Sequence, residues 1–258
     1  MKTQLNAITH TFIDKNESPD NSYKYWNNES LEKKKIFYDL EKLKKSEEQL
    51  FFINEFKCIL EERKISPNNV LSVCCGNLWI ESNVFKQTEI NKLVGIDFSQ
   101  HRVHKLAQYT VKELDLNFNV ELICGDILKY ETQEKFDIIY LSKAFHHIES
   151  PIFLLRKLKE LLNDKGIIII TGEHFYKNSI YLKRIFKHIF KFIFFSSYRK
   201  NRSLVPDYGM LFPYSIEKGD IHYSLFNYDY FFKKAGFNYK RTINKNIGFQ
   251  TFILNEKL

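Results

Sequence analysis

Five short, largely apolar runs recur along the middle of this chain, and they constrain its fold most strongly. They are Val70–Cys74, Leu93–Ile96, Val120–Cys124, Phe136–Leu141 and Ile167–Thr171. The stretches between them favour helices, and both Ser99 and Ser150-Pro151 are helix-start signals. Short buried strands that alternate with helices predict a parallel sheet with both faces covered.

The flanking segments complete this prediction. Residues 30–63 have apolar residues at helical spacing, and Tyr228–Ala235 predicts a last helix that ends at Gly236. Two closing strands are predicted at Phe237–Ile243 and Gly248–Leu254. We expect one α/β domain, a three-layer sandwich with a mostly parallel seven-stranded sheet and an antiparallel last strand. Its parts are a helical cap (1–66), a core (67–175), a basic lid insertion (176–226) and a closing helix and hairpin (227–258).

Chemically useful groups follow three of the predicted strands. Ligands bind outside the carboxyl ends of the strands in such a sheet. Gly76 follows the first strand, where backbone can approach a ligand. Asp97 ends the second strand and can accept both ribose hydroxyls of an adenosine cofactor, whereas Asp126 can take the adenine amino group and Ile127 can cover the ring. Capping of a local helix or loop is the alternative for both aspartates.

These residues also carry a family resemblance. Val70–Asn77 resembles the first motif of class I S-adenosylmethionine methyltransferases, Gly95–Ser99 the second and Cys124–Ile127 the third. Three further segments resemble the fourth strand, its following loop and the turn before the fifth strand: Phe136–Leu141, Ala144–Ile148 and Leu161–Ile167. Tyr25-Trp26 is similar to an upstream pair that helps cover the cofactor, and packing in the core is its alternative.

The resemblance implies a methyltransferase that uses S-adenosylmethionine and acts on a small molecule. The cofactor contacts that it implies are Tyr25, Cys75, Gly76, Asn77, Asp97, Phe98, Asp126, Ile127 and Leu141. The family usually has Asp at Ser72 and Gly at Cys74 and Leu78. We expect Leu78 to narrow the loop, and Glu81 or a backbone carbonyl to replace the missing acid near the ammonium group of the cofactor. The loop lacks the G-x-G-x-x-G of a dinucleotide site, which favours S-adenosylmethionine over NAD.

A hydroxyl acceptor needs a base to remove its proton. The candidates near strand ends and in the insertion are His146, His147, Glu173, His174 and His222. We favour His174 and His222 because loops there face the acceptor side in this fold, and His146 is either a base or part of the cofactor pocket. Surface or packing roles are the alternatives for each histidine. N-methylation and cofactor binding without methyl transfer are the alternative functions.

The net charge of +8 is concentrated in one segment. Eight Lys and Arg residues and no acidic residue lie between positions 177 and 203, where Leu182, Phe186 and Ile189 also recur at helical spacing. Three interpretations are open: a lid helix whose apolar side packs on the domain, a site for a phosphate-bearing acceptor, or a membrane-surface or nucleic-acid face. We expect a lid and an anionic acceptor, such as a surface-polysaccharide precursor. No RNA-binding module supports a nucleic-acid partner.

Other classes of protein are not indicated. Cys58, Cys74, Cys75 and Cys124 lack the spacing of metal ligands, so we expect buried, reduced thiols and no metal. The first 21 residues are polar, and no apolar run approaches the roughly 18 residues that span a bilayer. These features predict a cytoplasmic protein, and its oligomeric state is not indicated.

Overall fold

The computed structural model describes residues 46–148, 150–174, 178–197, 202–207, 210–215 and 223–256. The helices in these ranges are α1 (Glu47–Arg63), α2 (Trp79–Phe85), α3 (Gln108–Leu114), α4 (Pro151–Leu161), α5 (Asn178–Phe194) and α6 (Leu225–Ala235). The strands are β1 (Asn69–Val73), β2 (Lys92–Asp97), β3 (Asn119–Cys124), β4 (Phe136–Ser142), β5 (Leu162–His174), β6 (Arg202–Asp207), β7 (Met210–Ser215), β8 (Phe237–Asn244) and β9 (Phe249–Glu256).

Seven strands form one mixed sheet in the order β3-β2-β1-β4-β5-β9-β8. Neighbouring strands from β3 to β5 are parallel, and β9 runs antiparallel to both β5 and β8. The prediction of a mostly parallel seven-stranded sheet with an antiparallel last strand is confirmed. The parallel strands end at the same edge, so the loops after β1, β2 and β4 are neighbours there.

The sheet separates two apolar layers. Ile168 and Ile170 of β5 face a cluster that contains buried residues of α4 and α6, whereas Ile167 and Ile169 face one that contains those of α1, α2 and α3. Successive side chains of a strand point to opposite faces, so a continuous aliphatic run supplies both layers. The expected three-layer sandwich follows from this arrangement.

Two of the predicted helix ends agree with the capping geometry, whereas the last helix begins at Leu225 instead of the predicted Tyr228. The Ser99 hydroxyl accepts a hydrogen bond from the Arg102 amide at 3.3 Å, and the helical segment continues through a π-helical turn, Arg102–Ala107, into α3. At the other end of the chain, Gly236 has a φ of 86° and ends α6 in the left-handed conformation. Glycine adopts this conformation without a Cβ penalty.

Two local features differ from the prediction. The expected turn at residues 163–166 lies within β5, where the pairing passes from Phe136–Leu162 to Ile138–Ile167 and leaves a bulge. The Asn163 side chain donates to Asp137 Oδ1 at 2.6 Å, which holds this bulge against β4. The second difference is the antiparallel pair β6–β7 inside the insertion, for which the sequence analysis predicted no strands.

Helix α5 confirms a helical start to the insertion, but one expectation about it is wrong. Leu182, Phe186 and Ile189 are 53%, 69% and 40% exposed, so these residues do not pack on the domain. Helical periodicity identifies an apolar face but does not show what covers it. No helix among the residues described is both long and apolar enough to cross a membrane.

Candidate functional site

The loop after β1 has an unusual backbone. Cys74, Gly76 and Leu78 have φ values of 55°, 54° and 57°, all in the left-handed region. These are the three positions at which the resembling family has glycine. The loop therefore keeps a glycine-like backbone although two of the three residues carry side chains, each at a cost of about 1 kcal/mol or more.

Leu78 does not narrow this loop, and the expectation that it would do so is wrong. Its side chain is fully buried, and a Cβ added to Gly95 of β2 would lie 2.9 Å from Leu78 Cδ1. The side chain thus extends toward β2 and fills the core beneath the loop. The surface above Gly76 stays clear of it.

Asp97 connects the loops that follow β1 and β2. Its Oδ2 accepts from the Gly76 amide at 2.9 Å, and its Oδ1 accepts from the Ser99 amide at 2.8 Å. Each carboxylate oxygen has a further lone pair, so the group can still accept hydroxyl donors such as those of a ribose. The φ of Gly76 favours glycine, and the Arg102 guanidinium, at the end of a flexible side chain, lies 2.9 Å from where a Cβ would be. These features fit the adenosine part of S-adenosylmethionine.

The other expected cofactor residues lie around this loop with different degrees of exposure. Asp126 Oδ1 accepts from the Leu128 amide at 2.9 Å, and Asn77 Oδ1 accepts from the Trp79 amide at 3.2 Å. Both side chains therefore cap local structure and are partly exposed. Phe98 is also partly exposed, directly after Asp97.

Three of the expected contacts lie deeper. Cys75 is 4% exposed and donates its amide to the Ile96 carbonyl at 3.1 Å, so its backbone forms part of the loop. Ile127 is 7% exposed, and Leu141 is fully buried among apolar residues of the core. The structure thus places Leu141 beneath the site surface. Tyr25, together with Trp26, lies outside the described residues.

Glu81 lies beside Ser72, the position at which the resembling family usually has an acid. It lies in the first turn of α2, is 2% exposed, and accepts from the Ser142 hydroxyl at 2.5 Å. Burial raises the pKa of Glu81 to about 7, and the nearby Asp97 charge adds to this increase. A carboxyl is therefore still present near the loop, supplied by the helix instead of the strand.

A second cluster lies beyond the ends of β4 and β5. Glu173 is completely buried, and its carboxylate is 3.2 and 3.3 Å from His146 Nδ1. It also accepts from the Phe145 amide at 3.1 Å and from the Tyr228 hydroxyl at 2.7 Å. Burial alone would raise the pKa of Glu173, but His146, the Tyr228 hydroxyl and the nearby His147 lower it below its ordinary value. The acid is thus held ionised.

The carboxylate determines how His146 can act. A carboxylate only accepts hydrogen bonds, so Nδ1 carries the proton and Nε2 is left as the basic nitrogen. The His146 side chain is 15% exposed, which leaves it accessible from the site. A histidine oriented by a buried carboxylate is the usual arrangement of a general base.

The neighbouring histidines contact His146 through their rings. The ring centroids of His147 and His174 are 4.1 and 5.9 Å from that of His146. His174 also packs against Phe249, at 5.7 Å between centroids. The structure therefore brings together three of the four candidate histidines with Glu173, whereas His222 lies outside the described residues. Within the described ranges, no three His, Cys, Asp or Glu side chains are placed to hold a metal ion.

Sequence analysis missed part of this arrangement. Glu173 was considered as a base, but its contacts make it the partner that orients His146. Tyr228 and Ser142 were not identified, because a buried Tyr or a strand Ser has no pattern that distinguishes it from core. Cys75 and Cys124 are buried as expected, and burial raises the pKa of Cys124 to about 11, but Cys58 is exposed on α1.

Comparison with known proteins identifies a family. Residues 66–227 match the model of a methyltransferase domain. The chain is 37% identical over 59 residues to (S)-coclaurine N-methyltransferase of Papaver somniferum. This alignment covers 23% of this chain and 16% of that protein. The chain is also 25% identical over 103 residues to malonyl-[acyl-carrier protein] O-methyltransferase 2 of Ilyobacter polytropus. That alignment covers 40% of this chain and 38% of that protein. The alignments thus span well under half of each curated relative.

Solved structures share the fold. An S-adenosylmethionine-dependent methyltransferase from Clostridium acetobutylicum superimposes with a TM-score of 0.57 at 14% identity, over 89% of this chain and 99% of that one. The plantazolicin methyltransferase BpumL, solved with a desmethyl substrate analogue and S-adenosylhomocysteine, gives 0.56 at 15% identity, over 92% and 95% of the two chains. At this identity the likeness establishes the fold alone.

Proposed function

Because this chain belongs to the methyltransferase domain family, we propose that it transfers the methyl group of S-adenosylmethionine to a hydroxyl oxygen of a small anionic acceptor. We choose oxygen as the acceptor atom because His146 is paired with the buried carboxylate of Glu173. Hydroxyl acceptors need their proton removed, and this pair provides a base for that step.

The residues around the β1 and β2 loops would hold the cofactor. Asp97 would accept from the ribose hydroxyls, Gly76 leaves room for close approach, and Asp126 would lie toward the adenine amino group. Glu81 would take the role of the strand acid toward the ammonium group. When bound, S-adenosylmethionine supplies a methyl group already activated by the sulfonium, so the protein mainly aligns the acceptor.

His146 would act on the acceptor oxygen. Its Nδ1 proton stays on the nitrogen and is held by Glu173, while Nε2 accepts the proton of the hydroxyl as the oxygen attacks. The imidazolium that forms is stabilised by the ionised carboxylate beside it. Tyr228 and the Phe145 amide fix that carboxylate from the other side.

The anionic character of the acceptor is supported by charge. The eight Lys and Arg residues between 177 and 203 equal the whole net charge of +8. α5 begins at Asn178, four residues after β5 ends at His174, so this positive segment starts at the ligand-binding edge of the sheet. Such a field attracts anions and weakens with ionic strength.

N-methylation is the alternative that a specific finding favours. One of the two curated relatives is named as an N-methyltransferase and the other as an O-methyltransferase. The His146–Glu173 pair supports O-methylation for this chain. Transfer to an amine that is already neutral needs no base before the attack, so an N-methyltransferase of such an amine should tolerate the loss of His146.

Calorimetry and an acceptor panel test the proposal. We expect the purified protein to bind both S-adenosylmethionine and S-adenosylhomocysteine. Release of S-adenosylhomocysteine should then be measured with sugar phosphates and hydroxycarboxylates, each beside its amino counterpart. Turnover of the hydroxyl member of a pair supports the proposal, and turnover of only the amino member overturns O-methylation. Failure to bind either cofactor form would show that the protein is not a methyltransferase.

A further inference from the structure

Helix α5 has an exposed apolar stripe, defined by Leu182, Phe186, Ile189, Phe190 and Ile193. The exposed fractions of these side chains run from 40% for Ile189 to 69% for Phe186. Their spacing of three and four residues places them along one side of a helix. Monomeric proteins rarely expose a contiguous apolar patch of this kind, and such patches mark interaction sites.

Basic residues border the stripe. Lys183 and Lys187 are exposed, and Lys191 is partly exposed one turn further along. No Asp or Glu lies between positions 177 and 203. The helix therefore combines an aromatic and aliphatic side with a strongly cationic border.

We propose that α5 binds the surface of an anionic lipid bilayer, with its axis parallel to the membrane plane. The apolar stripe would enter the boundary between headgroups and acyl chains, while Lys183 and Lys187 would contact lipid phosphates. The helix has 17 residues, about 25 Å at 1.5 Å per residue, and several of these are charged. It therefore lies on the bilayer and does not cross it, in agreement with the absence of a membrane-spanning helix in the described ranges.

Charge and apolar surface together favour lipid over protein partners. A second copy of this chain would cover the stripe but bring the same cations against each other. An acidic protein would match the cations but has no need for six exposed aromatic and aliphatic side chains, Phe194 being the sixth. An anionic bilayer would contact the apolar stripe with its acyl chains and the lysines with its phosphates.

The attachment would place the site close to the membrane. α5 follows the end of β5, where Glu173 and His174 lie, after three intervening residues. A site carried on such a helix would receive an acceptor that is itself at the membrane surface. This consequence rests on the proposed function, whereas the lipid contact does not.

Vesicle binding tests the lipid contact without cofactor or acceptor. The full chain should co-sediment with vesicles of phosphatidylcholine and phosphatidylglycerol, bind phosphatidylcholine vesicles much more weakly, and lose binding as salt is raised. The double variant Lys183→Gln/Lys187→Gln should weaken binding about 30-fold, because each cation near an anionic surface contributes roughly fivefold. Phe186→Ser/Phe190→Ser should weaken it more than tenfold.

Matched variants elsewhere on the surface provide controls. Lys57→Gln/Lys112→Gln removes two exposed lysines outside α5, and Phe153→Ser removes a phenylalanine that is 55% exposed on α4. Both should bind vesicles as the unmodified protein does, and circular dichroism should show every variant folded. If these controls lose as much binding as the α5 variants, the contact is not made by α5.

Three results would overturn the inference. Equal or absent binding to both kinds of vesicle would exclude an anionic bilayer as the partner. A concentration-dependent dimer that Phe186→Ser/Phe190→Ser abolishes, without vesicle binding, would assign the stripe to a second copy. A raised acceptor KM in Lys183→Gln/Lys187→Gln, again without vesicle binding, would show that the lysines serve a soluble acceptor and would leave the proposed function intact.

Discussion

Replacement of Glu81 by Gln should change how the stability of the cofactor-free protein depends on pH. The Glu81 carboxyl is 2% exposed, and burial raises its pKa from the ordinary 4.5 to about 7. A raised pKa in the folded state means that this group favours folding below pH 4.5 and loses that contribution as the pH rises through about 7. The difference between these two pKa values corresponds to roughly 3 kcal/mol in the free energy of unfolding.

Urea unfolding at several pH values measures this effect. The free energy of unfolding of the unmodified protein, minus that of Glu81→Gln, should become more negative by up to roughly 3 kcal/mol between about pH 5 and pH 8. Glutamine keeps the shape and can still accept from Ser142, so the difference isolates the titration. The exposed Glu113→Gln provides the control, and its difference should stay nearly constant with pH.

Parallel curves for the unmodified protein and Glu81→Gln would refute this reasoning, because they would mean that the carboxyl titrates near its ordinary pKa and is not buried. A difference of opposite slope would mean that the ionised form is the one the fold stabilises. Saturating S-adenosylmethionine gives a second measurement. If its ammonium group lies beside Glu81, the bound cation should stabilise the carboxylate and make the change in this difference between about pH 5 and pH 8 smaller.

Three further predictions concern single residues. Asp97→Asn should raise the Kd for S-adenosylmethionine at least tenfold by calorimetry, since a hydrogen bond to a charged group contributes about 1.5–3 kcal/mol; an unchanged Kd in a folded variant would contradict the ribose assignment. His146→Ala should lower kcat roughly 10²–10⁴-fold with little change in cofactor Kd. Glu173→Gln should also lower kcat. If His174→Ala lowers kcat by this much and His146→Ala does not, His174 is the base. Gly95→Ala should reduce the free energy of unfolding by about 1–3 kcal/mol in urea titrations, because the new methyl group meets Leu78; a neutral result would show that the core relaxes around it.

The sheet was predictable because its signals are local. Runs such as Ile167–Thr171 can be buried on both sides only as strands in a covered sheet, and capping residues such as Ser99 and Gly236 mark helix ends directly. The antiparallel last strand followed from the family resemblance. The bulge in β5 was not predictable, because the residues at 163–166 carry the same turn signal whether the chain reverses or only bulges.

The site was predictable in its positions but not in its side-chain directions. Gly76, Asp97 and Asp126 follow strand ends that the parallel topology must bring together. The choice among the histidines depended on contacts between distant parts of the chain, since Glu173 is 27 residues from His146. The direction of Leu78 depended on its left-handed φ, for which a leucine gives no sequence signal.

Leu78 and Gly95 also constrain each other's evolution. The leucine side chain occupies the space that any side chain at position 95 would need, and the absence of one at 95 is what lets a left-handed leucine remain buried. A lineage that carries Leu78 and gains even an alanine at 95 should lose about 1–3 kcal/mol of stability unless position 78 is reduced first. Sterics therefore favour one order of substitutions at these two positions, and homologous chains should tend to have a large side chain at one position or the other but not at both.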